Sequence, residues 1–465
     1  MRAMDRLMDG ISGEKLQELL DRIAALEQRV RELEEENRRL REQLDEAQRA
    51  AVRQAAPFRR RESKKIPEGR KKRPGRPKGH EGAYRVVPEQ VDEVAEVPLQ
   101  ACPSCGGSLT GVIPVEQFIE EIPVIRPHVT RVTTYQGSCA VCGDVCSTHP
   151  LQTSTATGAA KSQLGPRARA LAISLHQQFG LTMRKVCRVL RCLTGLRLSP
   201  GGLALAIQKA AQRMQPSLDG LVSDIRTSAA VFADETSWYV GAPGSWLWSF
   251  TTADTTVYHI DSSRGRQVVL DMLGPSFNGI LVSDCLASYE DLPYRTHKCI
   301  AHHQKAIKEA QARPDTTDSS YLKQWKLLFT MVSTLWRHRE HLGEEEFARQ
   351  KSHLGNWLDR LLAEPRVQKG DIAIQKRIGK RRQVVLGCLD DPAAEPTNNR
   401  AERSLRPAVI ARKLSCGNRT DRGKDAWQTL TSLAATCDQR GHDFATWLAG
   451  CLPLAATPSP VPPAR

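Results

Sequence analysis

Twice in this chain a short apolar, strand-forming run meets a carboxylate. The first is Ala230-Val-Phe-Ala-Asp234-Glu235-Thr-Ser-Trp238, and the second is Gly279-Ile-Leu-Val-Ser-Asp284. A charge at the inner end of a buried strand is costly to desolvate unless something compensates it. The repetition therefore asks for neighbouring strands that bring their acids together, with a cation over them. Two divalent ions can drive phosphodiester chemistry at neutral pH, one activating the nucleophile and one holding the leaving oxygen. Magnesium is hard and takes oxygen ligands, so carboxylates are the expected side chains. Asp234 and Asp284 are read as two such ligands. The third is expected from a helix across the sheet edge, and Glu402 in Pro396-Thr-Asn-Asn-Arg-Ala-Glu402 is the choice.

Each acid has a structural alternative. Asp234 can cap a turn while Glu235, pointing to the opposite side of the strand, acts as the ligand. Asp284 can cap a helix beginning near Leu286. Glu402 stands three residues after Asn399, the spacing of an N-cap and its N3 partner.

Charge narrows the partners. Lysine and arginine exceed the acids by 67 − 52 = 15 over 465 residues, which favours an anionic partner such as nucleic acid or an acidic membrane surface. No apolar run approaches the roughly 18 residues of a membrane span, and the start of the chain leads into a charged helix rather than a signal-peptide core. The expectation is a soluble, cytoplasmic, nucleoid-associated protein with no membrane partner. Thirteen cysteines, eight of them scattered after residue 150, argue against a disulfide framework and leave the clustered ones for metal.

Taken in order, residues 1–50 are expected to form a coiled-coil dimerisation helix. Leu16, Ile23, Val30, Asn37 and Leu44 are seven apart, and Leu19, Leu26, Leu33 and Leu40 fill the other seam position. β-Branched residues facing leucines, with one seam asparagine, favour a parallel pair of identical chains. Residues 51–97 read as a disordered basic linker. Its Pro-Gly-Arg76-Pro-Lys78 core resembles an AT-hook, whose arginine lies in a narrow minor groove. Residues 98–150 carry Cys102-Pro-Ser-Cys105-Gly and Cys139-Ala-Val-Cys142-Gly, two knuckles able to supply a tetrahedral structural Zn²⁺ site. The alternation in Val124–Tyr135 suggests strands between them, as in a zinc ribbon. Residues 161–220 form three short helices with tight glycine turns, a helix-turn-helix-like DNA-binding unit. Arg184 and Arg188 of its second helix are candidate phosphate contacts. Residues 226–440 alternate strands and helices, with a Lys/Arg-rich helical insertion over about 305–390 anchored by Trp325, Trp336 and Trp357. Residues 441–465 are expected to be a tail, Pro-rich and disordered from 452.

The motifs Asp234-Glu-Thr, Leu281-Val-Ser-Asp284 with Tyr289, Cys299-Ile-Ala-His302, and Asn398-Asn-Arg-Ala-Glu402-Arg-Ser-Leu-Arg-Pro407 before Ala411-Arg-Lys413 resemble the transposases of the insertion sequence 66 family. The resemblance extends over roughly 14–440. It implies an RNase H-like catalytic core with a helical insertion, preceded by the coiled coil, the zinc ribbon and the helical DNA-binding unit. By motif match its three-acid (DDE) triad falls on Asp234, Asp284 and Glu402, which would coordinate Mg²⁺ or Mn²⁺. It implies cleavage at the ends of a bacterial mobile element and transfer of the freed 3′-hydroxyl to target DNA, with accessory products of the same element as further partners. Arg400, Arg403, Arg406, Arg412 and Lys413 would position phosphates. Two places depart from the family pattern. Cys285-Leu286 stands where Gly-Tyr is usual, and His303-Gln304-Lys305 stands where an Arg-Arg pair is usual. A DNA-binding protein without catalysis and a purely hydrolytic nuclease are the competing readings.

Overall fold

The computed structural model describes residues 21–37, 40, 80–82, 84–153, 163–313, 316 and 319–464. The chain divides into two compact units, Met1–Glu81 and Gly82–Arg465. In the first, residues 21–37 are helical, and Ile23, Leu26, Val30, Leu33 and Leu40 are all exposed in the single chain. Asn37 is also exposed, its side-chain amide donating to the Leu33 carbonyl at 3.1 Å, while Leu16, Leu19 and Leu44, and the basic linker with Arg76 and Lys78, lie outside the described residues.

The second unit opens with a largely exposed stretch carrying the cysteine knuckles. Strands β1 (Gln136–Cys139) and β2 (Gly143–Cys146) form an antiparallel hairpin around the second knuckle. Strands were expected within Val124–Tyr135, but that alternation finds no partner to pair with and makes no ladder.

Three helices then match the expected unit: α1 (Pro166–Gln177), α2 (Met183–Thr194) and α3 (Pro200–Arg213). Gly195 ends α2 in the left-handed region (φ 75°), and Ser199 caps α3 by accepting from the Gly202 amide at 3.0 Å. Helix α4 (Gln215–Thr227) leads into a five-stranded sheet of β3 (Ala230–Val240), β4 (Ala242–Thr251), β5 (Thr256–Asp261), β6 (Ile280–Ser283) and β7 (Arg295–Lys298). Its order is β5-β4-β3-β6-β7. The first three strands run antiparallel, while β6 and β7 run parallel to β3. Helix α5 (Arg266–Leu273) makes the crossover to β6.

Both faces of the sheet are covered, so its central strands are apolar on both sides. Val231, Ala233, Trp248, Phe250 and Leu281 face a core shared with α1, α3 and α4 and with two later helices, α11 (Asp421–Gln439) and α12 (Phe444–Cys451). Ala230, Phe232, Ile280 and Val282 face the insertion: α6 (Ile300–Gln311), α7 (Ser320–His338), α8 (Glu344–Ala363) and α9 (Lys369–Gly379). Trp325 is fully buried there, and Trp336 and Trp357 pack against the same core. Helix α10 (Asn399–Ser415) crosses the second face over β3, β4 and β5, burying Leu405 and Ala408 against Trp238, Leu247, Tyr258 and Ile260.

The Pro-rich end of the chain is docked, against expectation. Arg213 donates to the carbonyls of Cys451 (2.7 Å) and Pro453 (2.5 Å), Ser217 to Ser459 (2.9 Å), and Arg440 to Val461 (2.9 Å). Among the described residues no helix is long and apolar enough to cross a membrane.

Candidate active site

Three elements converge on the second face of the sheet. Asp234 lies within β3 rather than at its end, because β4 continues to pair with β3 as far as Val240. Its parallel neighbour β6 stops earlier. The last β3–β6 pair is Phe232 with Val282, so Asp234 stands two residues beyond it within β3 and Asp284 two residues beyond it, just past the end of β6. The alternation of a strand puts Asp234 on the face that carries Phe232, and Asp284 lies near enough for its charge to act on Asp234. Gly279 makes this register possible: a Cβ there would meet the Ser228 carbonyl oxygen at 2.3 Å.

Glu402 reaches the same place because α10 is fastened down at both ends. At its start the buried Asn398 donates its side-chain amide to the Ala233 carbonyl (2.8 Å), one residue before Asp234. Its backbone amide meets the Cys299 sulfur at 3.2 Å, and the Ile300 amide donates to Pro396 at 2.9 Å. Ser404, two residues past Glu402, bonds through its hydroxyl to Ser249 at 2.6 Å, and Ser249 pairs directly with Asp234 across the ladder. At the far end, the Asn418 amide donates to the Tyr239 carbonyl at 2.9 Å. Asn398 is the N-cap residue but makes no side-chain cap bond, and Asn399 is already helical, so the capping role considered for Glu402 is not formed. Asp284 likewise caps no helix: its Oδ1 accepts from the Leu286 amide (2.9 Å) in a local turn, and the short 3₁₀ turn begins at Ala287.

The electrostatics of Asp234 record the convergence. Burial, the neighbouring Glu235 charge and the carboxylates of Asp284 and Glu402 push its carboxyl up to about 7, against the Glu235 amide, which donates to its Oδ1. A cation placed among these groups would relieve that repulsion, and the all-oxygen donor set suits a hard ion. The carboxylates are not drawn into a finished ligand cluster: among the described residues, no three His, Cys, Asp or Glu side chains sit close enough to hold a metal. His302 Nε2 stands 4.0 Å from Glu402 Oε1.

Glu235 is occupied elsewhere. It lies on the opposite face, accepting from Arg264 Nε (3.1 Å), Arg264 Nη2 (2.8 Å) and the Tyr289 hydroxyl (2.7 Å). The two departures from the family pattern meet one another: Cys285 Sγ lies 3.7 Å from Nε2 of His303, which is buried and stacked on Phe329. Burial, with Arg377 and Arg381 nearby, pulls His303 down to about 3, so no cation stands at this position near neutral pH.

The candidate DNA contacts divide. Arg184 and Arg188 are exposed on α2, as are Arg403, Arg406 and Lys413 on α10. Arg400 is instead paired with Glu395 (2.5 Å) and lies over the Phe232 ring, while Arg412 bonds to Thr236 and Ser237 of β3. These two fasten α10 to the sheet.

The cysteine knuckles are formed singly. The amides of Ser104 and Cys105 point at the Cys102 sulfur, and those of Cys142 and Val141 at the Cys139 sulfur, lowering both thiol pKa values. Donation of this kind favours a thiolate and so suits a metal knuckle, but the two pairs are not gathered about one point.

Sequence reasoning passed over Lys298, Asn398 and Ser249. Ser249, between Trp248 and Phe250, carried a local signal as a polar residue in an apolar run, whereas Lys298, after His297, and Asn398, between Thr397 and Asn399, carried none.

A family model described as "Transposase IS66 family" matches residues 161–426. This is more than half of the chain and spans all three acids, and the chain belongs to that family. Two proteins of Sinorhizobium fredii, both called uncharacterized, are similar over most of their length. Protein y4qI is 24% identical over 401 residues, covering 78% of this chain and 72% of its own. Protein y4jD is 23% identical over 402 residues, covering 78% and 76%.

Proposed function

We propose that this chain is a DNA transposase of a bacterial insertion sequence, with Asp234, Asp284 and Glu402 as the catalytic carboxylates of an RNase H-like core. The supporting observation is their convergence from β3, the turn that follows its parallel neighbour β6, and one clamped helix. When bound, divalent ions, Mg²⁺ or Mn²⁺, would supply Lewis acidity and charge neutralisation at the scissile phosphate. The chain's own part is to hold those ions and exclude alternatives. Asp234 is presented from the paired β3, Asp284 from the turn that follows β6, and Glu402 is held by the Asn398 and Ser404 contacts. Water then opens the phosphodiester at the element end, and the freed 3′-hydroxyl attacks target DNA at the same site.

The remaining parts fit a protein that must hold two DNA ends. The exposed heptad face of the N-terminal helix would pair two copies. The cysteine knuckles would each become half of a Zn²⁺ site on closing together. Helix α2 and the linker carrying Arg76 and Lys78 would contact the terminal repeats, with Arg403, Arg406 and Lys413 on phosphates near Glu402.

The test is Mg²⁺-dependent cleavage and strand transfer on duplexes carrying the element ends. Asp234→Asn, Asp284→Asn and Glu402→Gln should each lower the rate roughly 100-fold or more, the scale on which loss of one preorganised charge-stabilising group is felt. Unchanged activity in Asp234→Asn removes it from the site. Cleavage without joining of the freed end identifies a hydrolytic nuclease instead.

A further inference from the structure

Lys298, at the end of β7, is a lysine with 1% of its surface exposed. Among the described residues it makes no ion pair, although burying an ammonium without a paired carboxylate is costly. Its Nζ instead donates to two oxygens, Ser283 Oγ (3.2 Å) and the Tyr289 carbonyl (2.8 Å). These are the two ends of the turn that carries Asp284. The same Tyr289 sends its hydroxyl to Glu235 Oε2 (2.7 Å), and Arg264 holds the other oxygen of that carboxylate. Glu235 is the chain neighbour of Asp234. Ser288, inside the turn, adds a bond to the Arg264 carbonyl. One buried chain of contacts thus runs from Lys298 through the Asp284 turn to the strand of Asp234.

Resting on the assignment of Asp234 and Asp284 as metal ligands, we propose that Lys298 is a positioning residue which, through Tyr289 and Glu235, fixes the spacing between the two aspartates. The sheet alone does not set that spacing. The β6–β7 ladder ends at Ser283–Lys298, so Asp284 leaves the sheet immediately after its last pair. Lys298 closes the turn just where the ladder lets go. Outer-shell partners of this kind orient ligands without touching the ion.

The sign of the effect separates positioning from simple electrostatics. Removing a buried positive charge beside acidic ligands would tighten cation binding if only the field mattered. If Lys298 positions Asp284, binding must weaken. The experiment is calorimetric titration of the full chain with Mn²⁺, alongside urea unfolding. Lys298→Met should weaken Mn²⁺ binding 10- to 100-fold, the usual range for loss of an outer-shell partner. Tyr289→Phe, which removes one hydroxyl and keeps the carbonyl bonded to Lys298, should weaken it in the same direction while leaving the protein folded. It is the decisive variant if Lys298→Met does not fold. Asp284→Asn serves as the reference. If it leaves Mn²⁺ affinity unchanged, the ligand assignment itself falls, and this proposal with it. If Asp284→Asn weakens binding but Lys298→Met and Tyr289→Phe leave it equal or tighter, the positioning role alone is overturned.

Discussion

Asp234 and two buried histidines respond to pH in opposite senses. His297 is wholly enclosed. Its Nδ1 lies near both the Cys388 amide (3.2 Å) and the Val384 carbonyl (3.3 Å), and its Nε2 faces the Pro396 carbonyl (3.2 Å). Burial pulls it down to about 4 and His303 to about 3. A depressed histidine contributes stability that is complete above the unfolded value near 6.5 and is lost as pH falls from there towards the folded value. Each is felt at about 1.4 kcal/mol per pH unit within that window. Asp234, raised to about 7, runs the other way, because between about 4 and 7 the folded state holds a proton that the unfolded state has released. Urea midpoints of the metal-free protein measured from pH 4 to 6.5 should show both. His303→Phe, which keeps the stack on Phe329, should flatten the rise of stability with pH by about one proton's worth, while Asp234→Asn should steepen it by a similar amount. A His303→Phe slope equal to that of the parent protein would mean that this histidine is not buried neutral.

At the scale of elements, the strands and helices around the acids were legible because each had its own signal. Val257–Ile260 alternates, Arg264-Gly-Arg266 opens α5, and Ile280–Val282 is continuously apolar. The course of β3 beyond Asp234 was not legible. Two adjacent acids read as a strand end, yet Glu235 is neutralised by Arg264 and hydrogen-bonded by Tyr289, residues 29 and 54 positions away. Long-range compensation of this kind leaves no local trace. Helix α10 was foreseen, but its clamp was not, since Asn398 and Ser404 bond to Ala233 and Ser249, each more than 150 positions away. The C-terminal strap was misread for a related reason. Proline lacks an amide donor but keeps its carbonyl, and here those carbonyls serve half-buried donors of Arg213 and Arg440 and an exposed one of Trp447. Prolines also lose little freedom on docking. Removing residues 453–465 should therefore destabilise the folded chain, by about 1–3 kcal/mol for each buried donor left unpaired. Urea unfolding of the truncated chain checks this, and an unchanged midpoint would mean that the strap contributes nothing.

Across the whole molecule, charge is laid out by region more than by residue. Between Asp144 and Asp219 there is no acidic residue, while ten lysines and arginines fall in the same interval. Helix α2 lies in that interval, with Arg184, Lys185, Arg188 and Arg191 exposed and Val186 and Leu190 holding its inner face in the core. A helix with no carboxylate of its own to compete for its cations is suited to a phosphate backbone, and the consequence is quantitative. Each phosphate contact releases condensed counterions and contributes about 0.9 to the slope of log affinity against log salt. Replacing Arg184, Arg188 and Arg191 together by alanine should reduce that slope by up to about 2.7 on duplex DNA, measured by fluorescence anisotropy between about 50 and 200 mM salt. These side chains are exposed and, among the described residues, form no ion pair, so the fold should survive the triple change. The comparison of two duplexes then says what α2 reads. Equal loss on an element end and on an unrelated sequence is expected, because phosphate contacts position a protein without specifying sequence. A loss confined to the element end would move these arginines from the backbone to the base edges. A slope that does not change would take α2 out of the DNA interface altogether.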